Sequence, residues 1–270
     1  MSNINRYAAL FEKLANNNEG AFVPFVMLGD PDLETSYKII CTLVDNGADA
    51  LELGFPYSDP IADGPTIQKA SIRALSHHFK TADSFAVIAR VRAKYPDVAI
   101  GLLLYSNLVF RRGIETFYAE AKQAGVDSIL LADVPLREGT PFRTAAEANG
   151  IKQILIAPPN ANDEDLAAIA KQTQGYTYLL GRAGVTGAEA TATTPVHEMV
   201  MRLKQNNAAP AVIGFGISTP EHVKAAISAG ADGAIAGSAT VNIIEKYLDD
   251  VPAMLQALGE FVSVMKAATR

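Results

Sequence analysis

The chain has a single cysteine, Cys41, so no intrachain disulfide can form, which fits a compartment that keeps thiols reduced. Cys41 lies in the amphipathic run 37–44, where a small buried helix residue is expected rather than a nucleophile. No apolar run is long enough to cross a membrane. The first residues, MSNINRYAALFEKL, lack an apolar signal core and include an acid. No secretion signal is therefore expected, and a cytoplasmic location is. Clustered positive charge is missing too. The formal net charge is −6, the basic residues are scattered, and the nearest cluster is the Arg111, Arg112 pair. Binding along a phosphate backbone needs such clusters, so a general nucleic-acid binder is excluded. Neither a linker nor a low-complexity segment interrupts the 270 residues, which read as one domain, 1–270.

What is there is alternation. Short apolar runs at 22–28, 50–54, 99–104, 128–132, 153–157, 177–180, 211–215 and 233–236 read as strands. Helical patterns fall between them at 34–46, 66–75, 82–94, 113–124, 141–149, 163–173, 195–206 and 220–229. Gly47, Gly125, Gly150 and Gly230 stand where helices should end. Ala-Gly-Val-Asp at 124–127 and Ala-Gly-Ala-Asp at 229–232 repeat one helix-to-strand device, echoed by Asn-Gly-Ala-Asp at 46–49. Strict βα alternation with apolar strands predicts a parallel sheet covered by helices. Eight units in this length favour a closed (β/α)8 TIM barrel, with a doubly wound open sheet as the alternative. Extra N-terminal and C-terminal helices are expected at 7–16 and 252–266.

In such a barrel the chemistry sits at the C-terminal ends of the strands. There the stretch ELGFPYSDPIADGP, residues 52–65, begins with a carboxylate on an otherwise apolar strand. Alternation puts Ala50, Glu52 and Gly54 on one face and Leu51 and Leu53 on the other. The leucines suit the helix layer, so Glu52 points into the barrel, with no strand-end Lys or Arg evident to pair with it. A buried acid without a partner invites proton chemistry. By the same parity Phe25, Leu103, Tyr105, Leu130, Ala132 and Tyr178 face the mouth and form apolar and aromatic walls. Asp59 and Asp63 both lie on the proline-stiffened loop, and the residues alone leave the second acid open between them.

Two glycine-rich turns, Gly214-Phe215-Gly216-Ile217-Ser218 and Ala236-Gly237-Ser238-Ala239, follow the last two strands. Glycines let backbone amides approach an anion, and a helix beginning at Ser238 adds its positive end. These loops are the usual phosphate site of the barrel. The long small-residue loop 181–193 after the sixth strand reads as a lid over the same face, with Gly184 and Gly187 as candidate hinges. No lysine ends a strand at the mouth; Lys152 starts a strand on the opposite rim. Imine chemistry is therefore not expected. His77, His78, His197 and His222 lack metal-ligand spacing at strand ends, so no metal is expected either. What remains is acid/base catalysis by carboxylates on a phosphorylated substrate with an apolar part.

The segments Gly20 to Phe25 (GAFVPF), LELG at 51–54, PYSDPIADGP at 56–65, ADVP at 132–135, YTYLL at 176–180, GVTG at 184–187 and GFGIS at 214–218 closely resemble the α subunits of bacterial tryptophan synthase, over essentially the whole chain. The resemblance implies a (β/α)8 barrel that cleaves indole-3-glycerol phosphate to indole and glyceraldehyde 3-phosphate. It further implies an α2β2 heterotetramer whose β subunit carries pyridoxal phosphate and receives the indole, with no cofactor in this chain. Carried over by position, Glu52 matches the acid/base that takes the glycerol hydroxyl proton and protonates indole C3. Asp63 matches the carboxylate that stabilises the indole nitrogen and takes its proton, which resolves the choice against Asp59. Phe25, Leu103, Leu130, Ala132 and Phe215 match the indole pocket, Tyr178 an aromatic beside Glu52, and Thr186 a lid residue that orders Asp63. Gly187, Gly216, Gly237 and Ser238 match the phosphate-binding backbone, and the loop with Pro56 and Asp59 matches the surface that meets the β subunit. Gly181 and Ala183 stand where many relatives have serine, which implies a more mobile lid. Phe55 and Tyr57 are bulkier or more polar than usual on the partner-facing loop. A stand-alone indole-releasing lyase and a non-catalytic activator are the alternatives, with a flavin-binding barrel behind them.

Overall fold

The computed structural model describes residues 5–181 and 195–270. After α1 (Arg6–Asn16) come β1 (Ala21–Met27), α2 (Leu33–Asp45), β2 (Ala50–Gly54), α3 (Pro65–Leu75), α4 (Thr81–Lys94), β3 (Ala99–Leu104), α5 (Ser106–Arg112), α6 (Ile114–Ala124) and β4 (Ser128–Leu131). A 3-10 turn (Leu136–Glu138) leads to α7 (Thr140–Asn149), β5 (Lys152–Gln153), β6 (Leu155–Ala157), α8 (Asp163–Gln172) and β7 (Thr177–Leu180). The chain then forms α9 (Val196–Gln205), β8 (Ala211–Gly214), α10 (Pro220–Ser228), β9 (Gly233–Ala236), α11 (Ser238–Lys246) and α12 (Val251–Ala267).

The strands lie in the order β5-β4-β3-β2-β1-β9-β8-β7-β6, every pair parallel. β1 pairs with the last strand, β9, as well as with β2. The two ends of the list, β5 and β6, are separated only by Ile154, so they are one strand whose halves face different neighbours. Ile154 N–H still donates to Ile129 O at 3.0 Å, toward β4, while Leu155 N–H turns to Thr173 Oγ1 at 3.1 Å, toward β7. The sheet therefore closes into the (β/α)8 barrel, and the open-sheet alternative is excluded. The expected helix at 113–124 is preceded by a separate short helix, α5, broken from α6 at Gly113, whose φ of 87° is left-handed.

Burial divides along the strand faces. Phe22, Val26, Leu51, Leu53, Ile100, Leu102, Ile129 and Leu131 pack outward under the helices. Val23, Phe25, Met27, Ala50, Ala99, Leu130, Tyr176, Tyr178, Val212 and Ile235 pack inside the barrel. α1 closes the N-terminal end, where Tyr7, 2% exposed, joins the interior cluster and Tyr7 Oη meets Ser128 Oγ at 2.7 Å.

The repeated tetrapeptide has a physical role. Asp49 Oδ2 accepts from Phe22 N–H at 2.8 Å, Asp127 Oδ2 from Ile100 N–H at 2.9 Å, and Asp232 Oδ2 from Ala211 N–H at 2.8 Å. Each aspartate thus reaches back from the start of its strand to an amide of the neighbouring strand and holds the register at the lower rim. Arg6 and Arg92 neutralise Asp127 at 2.8 and 2.6 Å, and Lys266 sits 3.0 Å from Asp49. The lower rim is a charged frame, and the opposite rim is left to the chemistry.

Candidate active site

β1 and β2 set the centre of the site. Their register pairs Phe25 with Glu52, and Glu52 with Gly101 of β3. Both side chains point into the barrel, as parity requires. Glu52 is only 2% exposed. Tyr176 Oη donates to Glu52 Oε1 at 3.0 Å, and among the described residues no cation pairs with it. Burial penalises the charged carboxylate, so the Glu52 carboxyl is pushed up from an ordinary 4.5 to about 7, with the Tyr176 hydrogen bond pulling weakly the other way. The acid thus titrates near neutrality, where donating and accepting a proton are both available.

Asp63 lies on the loop after β2, half-buried, two residues before α3 begins. Burial raises its carboxyl from 3.8 to about 6, against a hydrogen bond from Tyr105. The loop is held in place by Ala62 N–H donating to Tyr105 Oη at 3.0 Å and by Gln68 Nε2 donating to Asp63 O at 2.8 Å. Asp59 is exposed, and its side chain accepts a local bond from the adjacent Ser58. The geometry thus separates the two loop acids that the sequence left together.

One cavity at the C-terminal mouth is lined by Phe25, Glu52, Asp63, Leu103, Tyr178, Phe215, Gly216, Gly237 and Ser238. Nine of the expected site residues therefore meet in one place. Ala62, Gly64, Ile67, Ile217, Ser218, Ile235 and Ala239 complete the wall. Leu130 is buried in the barrel interior and Ala132 packs against the same cluster, both away from the cavity lining. Pro56 is buried beside a separate cleft between α4 and α5, while Asp59 faces solvent. Thr186 and Gly187, with the 182–193 part of the expected lid, lie outside the described residues. Tyr176 was not singled out from the sequence as a site residue. It stands just before β7, in the parity of Tyr178, and that is the signal the sequence offers.

Glycines open the cavity where it needs room. A Cβ at Gly214 would overlap the Tyr178 hydroxyl, and one at Gly54 would stand 2.6 Å from the tip of the Phe25 ring. After β8 the backbone turns through two left-handed residues, Phe215 at φ 70° and Gly216 at φ 83°. A phenylalanine rarely takes that conformation, and here it turns the ring into the cavity. Opposite, α11 begins at Ser238 after Gly237, with no side-chain cap. The first amides of a helix lack intrahelical acceptors and carry the positive end of the dipole, so this rim suits an anion. The cavity therefore joins a rim suited to an anion, an apolar middle and two carboxylates whose pKa values burial raises. Among the described residues no group of His, Cys, Asp and Glu could hold a metal ion, and none of the described helices is long and apolar enough to cross a membrane.

A family model described as "Tryptophan synthase alpha chain" matches residues 11–270. The chain belongs to the tryptophan synthase alpha chain family. Among the relatives, the tryptophan synthase alpha chain of Shewanella oneidensis is 59% identical over 264 residues, covering 98% of this chain and 95% of its own. The structure of tryptophan synthase subunit alpha from Legionella pneumophila superposes with a TM-score of 0.88 at 30% identity, over 98% of both chains. A chain from the tryptophan synthase α2β2 complex of Pyrococcus furiosus, described in terms of mutual activation, gives a TM-score of 0.80 at 35% identity, over 92% of this chain and 97% of that one.

Proposed function

We propose that this alpha chain cleaves indole-3-glycerol phosphate by passing protons between Glu52, Asp63 and the substrate. The family activity is a lyase reaction that releases indole within tryptophan biosynthesis. The observation that carries the mechanism is the 2% exposed Glu52, with no cation beside it among the described residues and raised to about 7, in one cavity with Asp63 and the uncapped start of α11. The α11 amides and the Gly216 turn take the phosphate. Phe25, Leu103, Tyr178 and Phe215 hold the indole ring, with Leu130 and Ala132 backing that wall. Thr186 and Gly187 are assigned to the closing loop and to the phosphate.

The protons balance as follows. Protonated Glu52 delivers its proton to indole C3, and Asp63 takes the N1 proton, so the ring becomes an electron sink. Glu52, now a carboxylate, removes the proton of the glycerol hydroxyl. The C–C bond breaks, the aldehyde forms, and the electron pair returns to the ring. N1 regains its proton from Asp63, and Glu52 ends protonated, ready for the next cycle. Neither an imine to a lysine nor a metal is required by this sequence of steps, and no cofactor is assigned to this chain.

The proposed partner is a tryptophan synthase β subunit in an α2β2 complex, with pyridoxal phosphate held by that subunit. Exposed Asp59 and the loop from Pro56 face it, and the enzyme works in the cytoplasm as one barrel domain. Glu52→Gln tests the chemistry: cleavage should fall by at least 1000-fold, since the variant can neither donate nor accept the proton. Wild-type turnover in that variant would overturn the assignment. Asp63→Asn should lose most activity while keeping glycerol 3-phosphate affinity within about twofold.

A further inference from the structure

Behind the cavity, three elements that supply its walls meet in one ion cluster that the chemistry does not use. Asp30 follows β1, the strand of Phe25, and is 1% exposed. Arg73, near the end of α3, donates through Nε and Nη2 to both Asp30 oxygens at 2.8 Å. Burial pushes the Asp30 carboxyl up even though Arg73 pulls it down, so Asp30 is costly to keep ionised and depends on this fork. Glu245, in the last turn of α11, lies 4.0 Å from Arg73 Nη1 and accepts from Lys69 Nζ at 2.9 Å. The front ends of the same two helices carry the site. α3 starts just after Asp63, whose carbonyl is held by Gln68, and α11 starts at Ser238 on the anion-facing rim.

We propose that Arg73 is a positioning residue: anchored by Asp30 and facing Glu245, it ties α3 to α11 and so fixes the distance between Asp63 and the phosphate rim. This inference rests on the roles given above to Asp63 and to the α11 amides. Two rods joined at their rear ends hold their front ends in register. A substrate gripped at its phosphate by one helix then presents its indole nitrogen to the acid at the head of the other. Loss of the tie leaves the phosphate grip intact, because the amides of α11 are its own. It does spoil the alignment of Asp63, and misplacing a catalytic group by about an ångström costs up to a hundredfold in rate.

The test uses the full chain, alone and with saturating β subunit. Glu245→Gln removes the charge that faces Lys69 and Arg73 without disturbing the buried Arg73–Asp30 pair. Arg73→Lys keeps a cation beside Asp30 but loses the fork, which guards against a variant that simply unfolds. Glu34→Gln, breaking an exposed pair with Arg90 on the outer helix layer, is the control. In both test variants kcat should fall three- to tenfold, with glycerol 3-phosphate affinity within twofold of wild type; melting temperature should stay close to wild type in Glu245→Gln and fall in Arg73→Lys, where buried Asp30 loses the fork, and the control should keep wild-type kcat. A kcat within twofold of wild type in Glu245→Gln overturns the proposal, and so does a parallel loss of kcat and phosphate affinity. Glu52→Gln run beside them separates the two levels: if it stays active, the underlying mechanism fails; if it is inactive while Glu245→Gln is unaffected, only the tie fails.

Discussion

Replacing Glu52 by glutamine should make the protein more stable, and by an amount that depends on pH. The wild-type carboxyl shifts from an ordinary 4.5 to about 7 on folding because burial disfavours its charge. Between those two values the native state holds a proton that the unfolded chain has already released. Native-state proton binding exceeds unfolded-state binding there, so stability falls as pH rises, and the loss is complete above the folded value. A shift of this size at 1.36 kcal/mol per unit amounts to about 3 kcal/mol. Glutamine does not titrate, and its side-chain oxygen can still accept from Tyr176. The stability difference between variant and wild type should therefore grow by about 2.5 kcal/mol from pH 5 to pH 8, in favour of the variant. Asp63, also raised, contributes in the same sense but is present in both proteins and cancels. Urea unfolding at four pH values across that range measures the difference directly, provided the slopes match. Two parallel stability curves would mean that Glu52 ionises normally in the fold, and the case for a neutral-pH proton shuttle would fall with it.

Tyr176→Phe removes the hydrogen bond that favours the ionised form of Glu52. The Glu52-dependent limb of the pH–rate profile should move to higher pH; a shift to lower pH would refute the assignment. Gly214→Ala places a methyl group against the Tyr178 hydroxyl. Overpacking of about 1–3 kcal/mol should appear in unfolding, together with weaker substrate binding as Tyr178 is displaced into the cavity. Asp127→Asn leaves the strand amide an acceptor but strips Arg6 and Arg92 of their shared partner at the lower rim. It should cost about 3 kcal/mol of stability with kcat for the folded enzyme unchanged, separating the frame of the barrel from its chemistry.

The strands were legible because buried parallel strands are continuous apolar runs and the connecting glycines mark helix ends. The inward phase of Glu52 followed from its two flanking leucines alone. Asp63 was not legible in the same way. Loop residues carry no period, and Asp59 and Asp63 differ only in a fold that leaves one in water and brings the other under Tyr105. α5 escaped because seven residues are under two turns, too few to show a helical face. The Asp-ending repeat was visible as a repeat, yet its purpose, a carboxylate on the neighbouring strand's amide, spans 21 to 27 positions of sequence. Phe215 shows the limit from the other side: flanking glycines advertise a turn, but not that the phenylalanine itself takes the left-handed position.

The raised Glu52 carboxyl is owed in part to the opposite end of the barrel. Across from Glu52 on β3 stands Gly101, and the space its missing side chain leaves is filled from below: a Cβ there would lie 2.8 Å from Ser128 Oγ and 3.0 Å from Tyr7 Oη. Tyr7 comes from α1, its ring centre 5.5 Å from that of Tyr176, which in turn holds Glu52. α1 thus packs its buried Tyr7 against buried Tyr176 beneath the acid and covers it from the lower rim. Burial is what raises this carboxyl, so the N-terminal helix, which touches no part of the cavity, helps set the pH at which the acid works. An extra helix ahead of the first strand is then part of the catalytic design, in the way that a floor is part of a closed room.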